Sequence, residues 1–198
     1  MVGLAEMDFS LGFIADYLSM APTRAPGYHL TDLIRASKLI ARNKPITPRE
    51  EPDDMVQGLM DMGRFWEEAS RSSFNGRVRK LGFNTSLPEQ RECDGVICNV
   101  DGLVFSEASA KSIIAVHESK FRFTPRSDPR DNLDWMAQCK GYCYAFGVRS
   151  VWMPVANITT RPPSASSRIY MLDFSEQEIQ ENWQMILKTK DYLESHKP

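Results

Sequence analysis

The segment KSIIAVHESKFRF, residues 111–123, constrains the fold more than any other. Its run Ile113-Ile114-Ala115-Val116 is apolar and mostly β-branched, and the alternation after it is that of a half-buried strand. Such a strand is stable only inside a sheet covered by other elements. Residues two apart on a strand share a face, so Glu118 and Lys120 stand side by side. Two readings follow. They are a solvated charge pair, or a metal ligand beside a group that handles water.

Around this strand the chain alternates helical and strand patterns. HLTDLIRASKLIAR has apolar residues at Leu30, Leu33, Ile34, Ala36, Leu39 and Ile40, a helical spacing whose start is marked by Thr31 or Gly27. The proline-rich NKPITPREEPDD is a loop, and Asp53 or Asp54 caps a second helix over MVQGLMDMGRFWEEASRSSFN. CDGVICNV, LVFSEA and KSIIAVHESKFRF form a small meander, with Asp101-Gly102 as a hairpin turn. LDWMAQCKGYCYAFG is a helix, VRSVWMPVAN a strand, RPPSASS a flexible loop and RIYMLDF a last strand. The final helix begins at Ser175 with Glu178 three residues on, a capping box. The expected fold is α/β, with a central mixed sheet flanked by helices. One domain is expected over 1–198: an N-terminal helical region and loop at 1–54, a core at 55–160, and a C-terminal strand and helix at 161–198.

Hydrophobic residues make up 42% and charged residues 25% of the chain, as in an ordinary globular protein, and the net charge of −2 offers no global basic field to a polyanion. The charges are uneven. Arg64, Arg71, Arg77, Arg79 and Lys80 cluster in one stretch and Lys120, Arg122, Arg126 and Arg130 in another, while the C-terminal region is acidic. No apolar run is long enough to span a membrane, and Glu6, Asp8 and Asp16 interrupt the N-terminal apolar patches, so neither a membrane span nor a signal peptide is expected. The expected setting is cytoplasmic, with the four cysteines as thiols.

Asp94 opens CDGVICNV, upstream of the strand that carries Glu118. Charged groups gathered at one sheet edge need a partner, and a divalent cation supplies one. Mg²⁺ takes one or two carboxylates together with water and phosphate oxygens. Ser119 points its side chain to the other face but leaves its carbonyl available as a ligand. Lys120 would orient or deprotonate a water, or stabilise charge on a phosphate. The arrangement suits phosphodiester hydrolysis. Acid-x-Lys pairs recur by chance, however, and on these residues alone the solvated pair is the stronger reading.

Asp94 followed by Glu118-Ser119-Lys120 resembles the D…(E/D)-x-K signature of the PD-(D/E)XK nuclease superfamily, with Cys93 where the signature has proline. Gly63 and Glu67 in GRFWEEA resemble the G-x-x-x-E helix of phage lambda-type exonucleases and RecB-like nucleases. Gln138 and Tyr142 resemble the Q-x-x-x-Y motif of the same groups, on one helix face. The four elements run in family order from about Gly63 to Gly147. The resemblance implies a restriction-endonuclease-like core and a Mg²⁺- or Mn²⁺-dependent deoxyribonuclease. It implies an exonuclease acting on DNA ends in phage or viral recombination, repair or degradation. The alternatives are an endonuclease on the same core, or a module that only binds DNA or protein.

Carried over residue by residue, Glu67, Asp94, Glu118 and the Ser119 carbonyl are the metal ligands, with Glu68 the alternative to Glu67. Lys120 handles the water, Gln138 braces Lys120 or contacts DNA, and Tyr142 packs or touches the backbone nearby. His29, Thr31 and Arg35 occupy the place where lambda-type enzymes bind a 5′-phosphate, and Arg122, Arg126 and Arg130 are candidate backbone contacts. The expected partner is DNA, single- or double-stranded, and a homo-oligomer or a recombination partner protein is compatible with the resemblance. Cys93, Cys98, Cys139 and Cys143 do not have the spacing of the RecB-like iron–sulfur cluster, so no cluster is expected.

Overall fold

In a computed structural model, the described residues are 26–46, 54–122, 128–160 and 163–196. The first 25 residues, most of the proline-rich loop and Arg126 lie outside them. In chain order the elements are β1 (Tyr28–His29), α1 (Leu30–Ala41), α2 (Asp54–Arg79), β2 (Phe83–Thr85), β3 (Glu89–Cys93), β4 (Val96–Val100), β5 (Gly102–Ser106), β6 (Ser109–His117), β7 (Lys120–Arg122), α3 (Leu133–Phe146), β8 (Ser150–Thr160), β9 (Pro163–Asp173) and α4 (Glu176–Ser195). A short 3₁₀ helix, Pro129–Asp131, leads into α3.

The main sheet is mixed. β2 pairs with β5 and β5 with β6, all antiparallel, while β6 and β7 both run parallel to β8, whose other edge carries antiparallel β9. His117 pairs with Trp152 and Lys120 with Val155, three residues further along both strands, so β6 and β7 keep one register. They are one strand interrupted at Glu118 and Ser119.

Alternation along these strands sorts side chains between two faces. Leu103, Val116, Val151 and Met153 join the main core with α1, α3 and α4. Val104, Ala115 and Trp152 pack under Phe74 and Val78 of α2. The same parity assigns Glu118 and Lys120 to the α3 face. His117 lies on the α2 face, with its ring stacked on Phe74 at a centroid distance of 4.2 Å.

A second, three-stranded sheet, in the order β1-β4-β3, stands beside the main one. Its presence corrects the expected single meander. β4 and β5 follow each other in sequence but lie in different sheets, so Asp101-Gly102 is not a hairpin turn; it is the crossing between sheets. The hairpin turn is Asp94-Gly95, flanked by the Cys93–Val96 pair. Both turn residues have positive φ, 51° and 72°, as a type I′ turn requires and Asp-Gly readily supplies. Gly102 is needed for another reason: a Cβ there would lie 2.9 Å from the Ser86 carbonyl oxygen.

Three element boundaries also differ from expectation. α1 starts at Leu30 because β1 holds the chain extended through His29 against β4, and His29 is the N-cap without a side-chain bond. α2 runs on to Arg79, beyond the expected end near Asn75, because Val78 extends its buried stripe. RPPSASS is not all loop: from Pro163 it pairs with β8, whose backbone satisfies a stretch of low intrinsic strand propensity.

The helix ends follow their chemistry. Asn132 caps α3 by accepting from the Asp134 and Trp135 amides, and Gly147 ends it at φ 68° with the Val148 amide bonded back to Cys143 O. The capping box of α4 forms as expected: Ser175 N donates to Glu178 Oε2 at 2.9 Å and Glu178 N donates to Ser175 Oγ at 3.2 Å. Ser175→Ala is expected to cost about 1 kcal/mol in chemical denaturation, with an unchanged denaturant slope.

Candidate active site

The interruption between β6 and β7 builds the site. Glu118 N still donates to Trp152 O at 3.2 Å, so the backbone remains anchored to β8 where the carboxylate is placed. Side-chain exposure is only 6% for Glu118 and 14% for Lys120, which excludes the solvated-pair reading of these two residues. Lys120 Nζ donates to Glu118 Oε1 and to Gln138 Oε1, both at 2.7 Å. Gln138 Nε2 donates to Glu118 Oε1 at 3.0 Å and to the Tyr142 hydroxyl at 2.7 Å. The two α3 residues therefore share a face and brace the acid–lysine pair.

Asp101 completes the cluster. Gly102 is paired with His117, so Asp101 comes opposite Glu118 one step beyond the end of the ladder. Its Oδ2 accepts from Ser119 N at 2.6 Å. Asp94, the expected ligand, is elsewhere. It sits in the hairpin turn at the far end of β4, separated from Asp101 by a five-residue strand, about 17 Å. There its carboxylate accepts from the buried Trp183 Nε1 at 2.8 Å. The spacing of Asp101-Gly102 before the strand was visible, but an Asp-Gly pair also signals a turn, and two such pairs lie seven residues apart.

Burial and like charge make the acids reluctant to ionise. Burial pushes Glu118 up to about 8, with Lys120 opposing and Asp101 and Glu67 adding to the rise. Burial also raises Asp101, against the Ser119 amide, Lys120 and Arg71. For Lys120, burial works downward but the Glu118 carboxylate outweighs it, so the ammonium is favoured. His117 is pushed down to about 4 by burial and by Arg71, which keeps it neutral, with Nε2 3.2 Å from Ser119 Oγ.

Glu118 Oε2 is buried with no hydrogen-bond partner among the described residues. A carboxylate oxygen left bare beside a second, half-buried acid fits a bound cation, because a hard divalent ion satisfies both. No three His, Cys, Asp or Glu side chains among the described residues converge into a ready-made metal cage. The donors at hand are the buried Glu118 and half-buried Asp101 carboxylates, with Glu67, exposed on α2, within electrostatic reach.

The expected DNA contacts are distributed unevenly. Thr31 and Arg35 line a cavity of about 340 Å³ with Lys38, Arg42, Asp134 and Gln138, so it adjoins the bracing glutamine. Lys38 and Asp134 form an ion pair at 2.7 Å. His29 is buried and faces Asn99 instead, Nδ1 to Nδ2 3.3 Å. Arg122 is held by Asn157 and lies over the Trp135 ring at 5.7 Å, and exposed Arg130 approaches Asp128 at 3.8 Å. All four cysteines are free thiols, and Cys98, Cys139 and Cys143 are buried in the main core.

No protein-family model matches the chain, and no curated protein sequence matches it. Solved structures do match. LHK-Exo in complex with dAMP superposes with a TM-score of 0.51 at 10% identity, covering 85% of this chain and 88% of that one. The alkaline exonuclease LHK-Exo from Laribacter hongkongensis gives a TM-score of 0.50 at 11% identity, with the same coverage. The chain shares the fold of these exonuclease structures. Asp101, Glu118, Lys120 and Gln138 lie in it as one cluster, on the central strand and the elements that flank it. No helix among the described residues is long and apolar enough to cross a membrane.

Proposed function

We propose that the chain is a Mg²⁺- or Mn²⁺-dependent deoxyribonuclease that hydrolyses phosphodiester bonds at DNA ends. The observation that carries this reading is the buried acid–lysine pair, braced by Gln138, with Asp101 opposite and Glu118 Oε2 bare. Asp101, Glu118 and the Ser119 carbonyl would hold the cation, with Glu67 as the outer acid. When bound, such an ion polarises the phosphate and lowers the pKa of a water. Lys120 commits two of its three N–H donors to Glu118 and Gln138, which leaves one for the attacking water or a phosphate oxygen. Gln138 fixes the direction of that donor and Tyr142 fixes Gln138. The cavity holding Arg35, Lys38, Arg42 and Thr31 is a basic neighbour suited to DNA phosphates, including a terminal one. That the similarly folded exonuclease was solved with dAMP is in keeping with a nucleic-acid substrate. The setting suggested by the family resemblance is recombination, repair or degradation of phage or viral DNA.

The deciding assay compares end-labelled linear DNA carrying 5′-phosphate or hydroxyl ends, single strands and closed circles, each with Mg²⁺, Mn²⁺ or chelator. Shortening of linear DNA that stops in chelator is expected. Cleavage of closed circles would assign an endonuclease, and binding without cleavage in either metal would leave only a binding module.

The raised Glu118 acid also predicts a pH dependence. Its folded-state value, about 8, lies above its ordinary 4.5, so the folded protein holds the proton more tightly than the unfolded chain. That stabilisation is complete below pH 4.5 and is lost as pH rises through 8. Between pH 6.5 and 8 His117, neutral when folded but half protonated at pH 6.5 when unfolded, opposes this trend at the lower end of the window and adds nothing as pH approaches 8. In chelator the melting temperature is expected to fall across this window, at up to about 1.4 kcal/mol per pH unit. Glu118→Gln should flatten the slope, and Mn²⁺ at pH 8 should restore stability to the wild type only.

A further inference from the structure

Behind the strand break lies a buried polar pair that the proposed chemistry does not use. His117 and Ser119 are two apart and share the α2 face, opposite to that of Glu118 and Lys120. His117 is 0% exposed and Ser119 4%. The imidazole lies flat on Phe74, 8° from parallel, and Phe74 belongs to the apolar layer of Val104, Ala115 and Trp152. Nδ1 has no hydrogen-bond partner among the described residues, and the ring's one bond there is Nε2 to Ser119 Oγ at 3.2 Å. A phenylalanine would fill this place without leaving a buried nitrogen bare. What the imidazole adds is Nε2.

The bond falls on the one stretch where the strand cannot hold itself. The regular ladder lapses over Glu118 and Ser119, since β6 ends at His117 and β7 begins at Lys120. Glu118 N is still tied to Trp152 O, but the next amide, Ser119 N, donates to a side chain, Asp101 Oδ2, at 2.6 Å. The peptide that presents this amide is therefore set by side-chain bonds, to Asp101 and to His117, in place of a neighbouring strand.

We propose that His117 is a positioning residue: through Nε2 it clamps Ser119 from the α2 face, so that the Ser119 amide holds the Asp101 carboxylate opposite Glu118. Phe74 holds the ring in turn, so the packing of α2 is coupled to the acids on the other face of the sheet. Either imidazole tautomer makes the bond, because Nε2 and the hydroxyl can each donate or accept. The clamp itself follows from the contacts; its consequence for a bound cation rests on the nuclease reading. Outer partners that orient metal-binding groups typically change metal affinity by about 10–100-fold when removed.

Two measurements test this on the full chain, with His117→Phe, which keeps a ring to stack on Phe74, and Ser119→Ala. The first follows the amide of residue 119 by NMR in chelator. In the wild type its short bond to a carboxylate should give a downfield proton and slow hydrogen exchange. His117→Phe should move that proton upfield and speed its exchange by about tenfold or more. An unchanged amide overturns the clamp, whatever the protein's function. Ser119→Ala supplies the same exchange readout if the phenylalanine variant does not fold. The second measurement is calorimetric titration with Mn²⁺, run beside thermal melting. Each single variant should bind Mn²⁺ about 10–100-fold more weakly. The double variant removes both polar partners, so its melting temperature should return toward the wild-type value while its Mn²⁺ affinity stays low. Affinity that returns together with the melting temperature would make His117 a packing residue, and that result overturns the proposal. A wild type that binds no Mn²⁺, with amide protection lost in His117→Phe, refutes the nuclease reading and leaves the clamp standing.

Discussion

Asp101→Asn is expected to reduce DNA cleavage by on the order of a thousandfold, while Asp94→Asn leaves it within about twofold. Both replacements suit the fold. An asparagine at 101 keeps an oxygen to accept the Ser119 amide, and one at 94 keeps an acceptor for Trp183 Nε1 and tolerates positive φ. What changes is charge. At 101 it is removed from beside Glu118, and at 94 from a hairpin turn at the other end of β4. Single-turnover rates on linear duplex with Mn²⁺ measure the difference, and melting temperatures check that both variants fold. Loss of cleavage in Asp94→Asn with activity retained in Asp101→Asn would return the catalytic acid to position 94.

Lys120→Ala is the second large effect. Cleavage should drop by about 10²–10⁴-fold, the usual cost of removing a group that handles the reacting proton. Binding of DNA in Ca²⁺ should change little, since Lys120 is 14% exposed and one ammonium among several nearby cations. Removing it also leaves Glu118 without its ion-pair partner, so the metal-free variant should be less stable than the wild type, and Mn²⁺ should recover much of the difference. Wild-type cleavage by a folded Lys120→Ala variant would sink the assignment.

Much of the fold can be read along the chain because local chemistry and burial agree there. The apolar face of α1, the capping box at Ser175, the Gly147 helix stop and the strand over Ile113–Val116 each carry a signal within a few residues. The shared face of Glu118 and Lys120, and that of Gln138 and Tyr142, follow from strand and helix periodicity alone. Which aspartate joins them does not. Asp94-Gly95 and Asp101-Gly102 are the same dipeptide in similar surroundings, and either could turn a hairpin. Only strand pairing separates them: β3 and β4 exchange hydrogen bonds across the first, whereas β4 and β5 join different sheets across the second. The docking of α2 is of the same kind, since Phe74 stacks on His117 forty-three residues away in sequence. The sequence by itself determined the residue types of the site and the faces they share. The tertiary structure decided which acid stands opposite Glu118, because non-local backbone pairing, not local propensity, sets register.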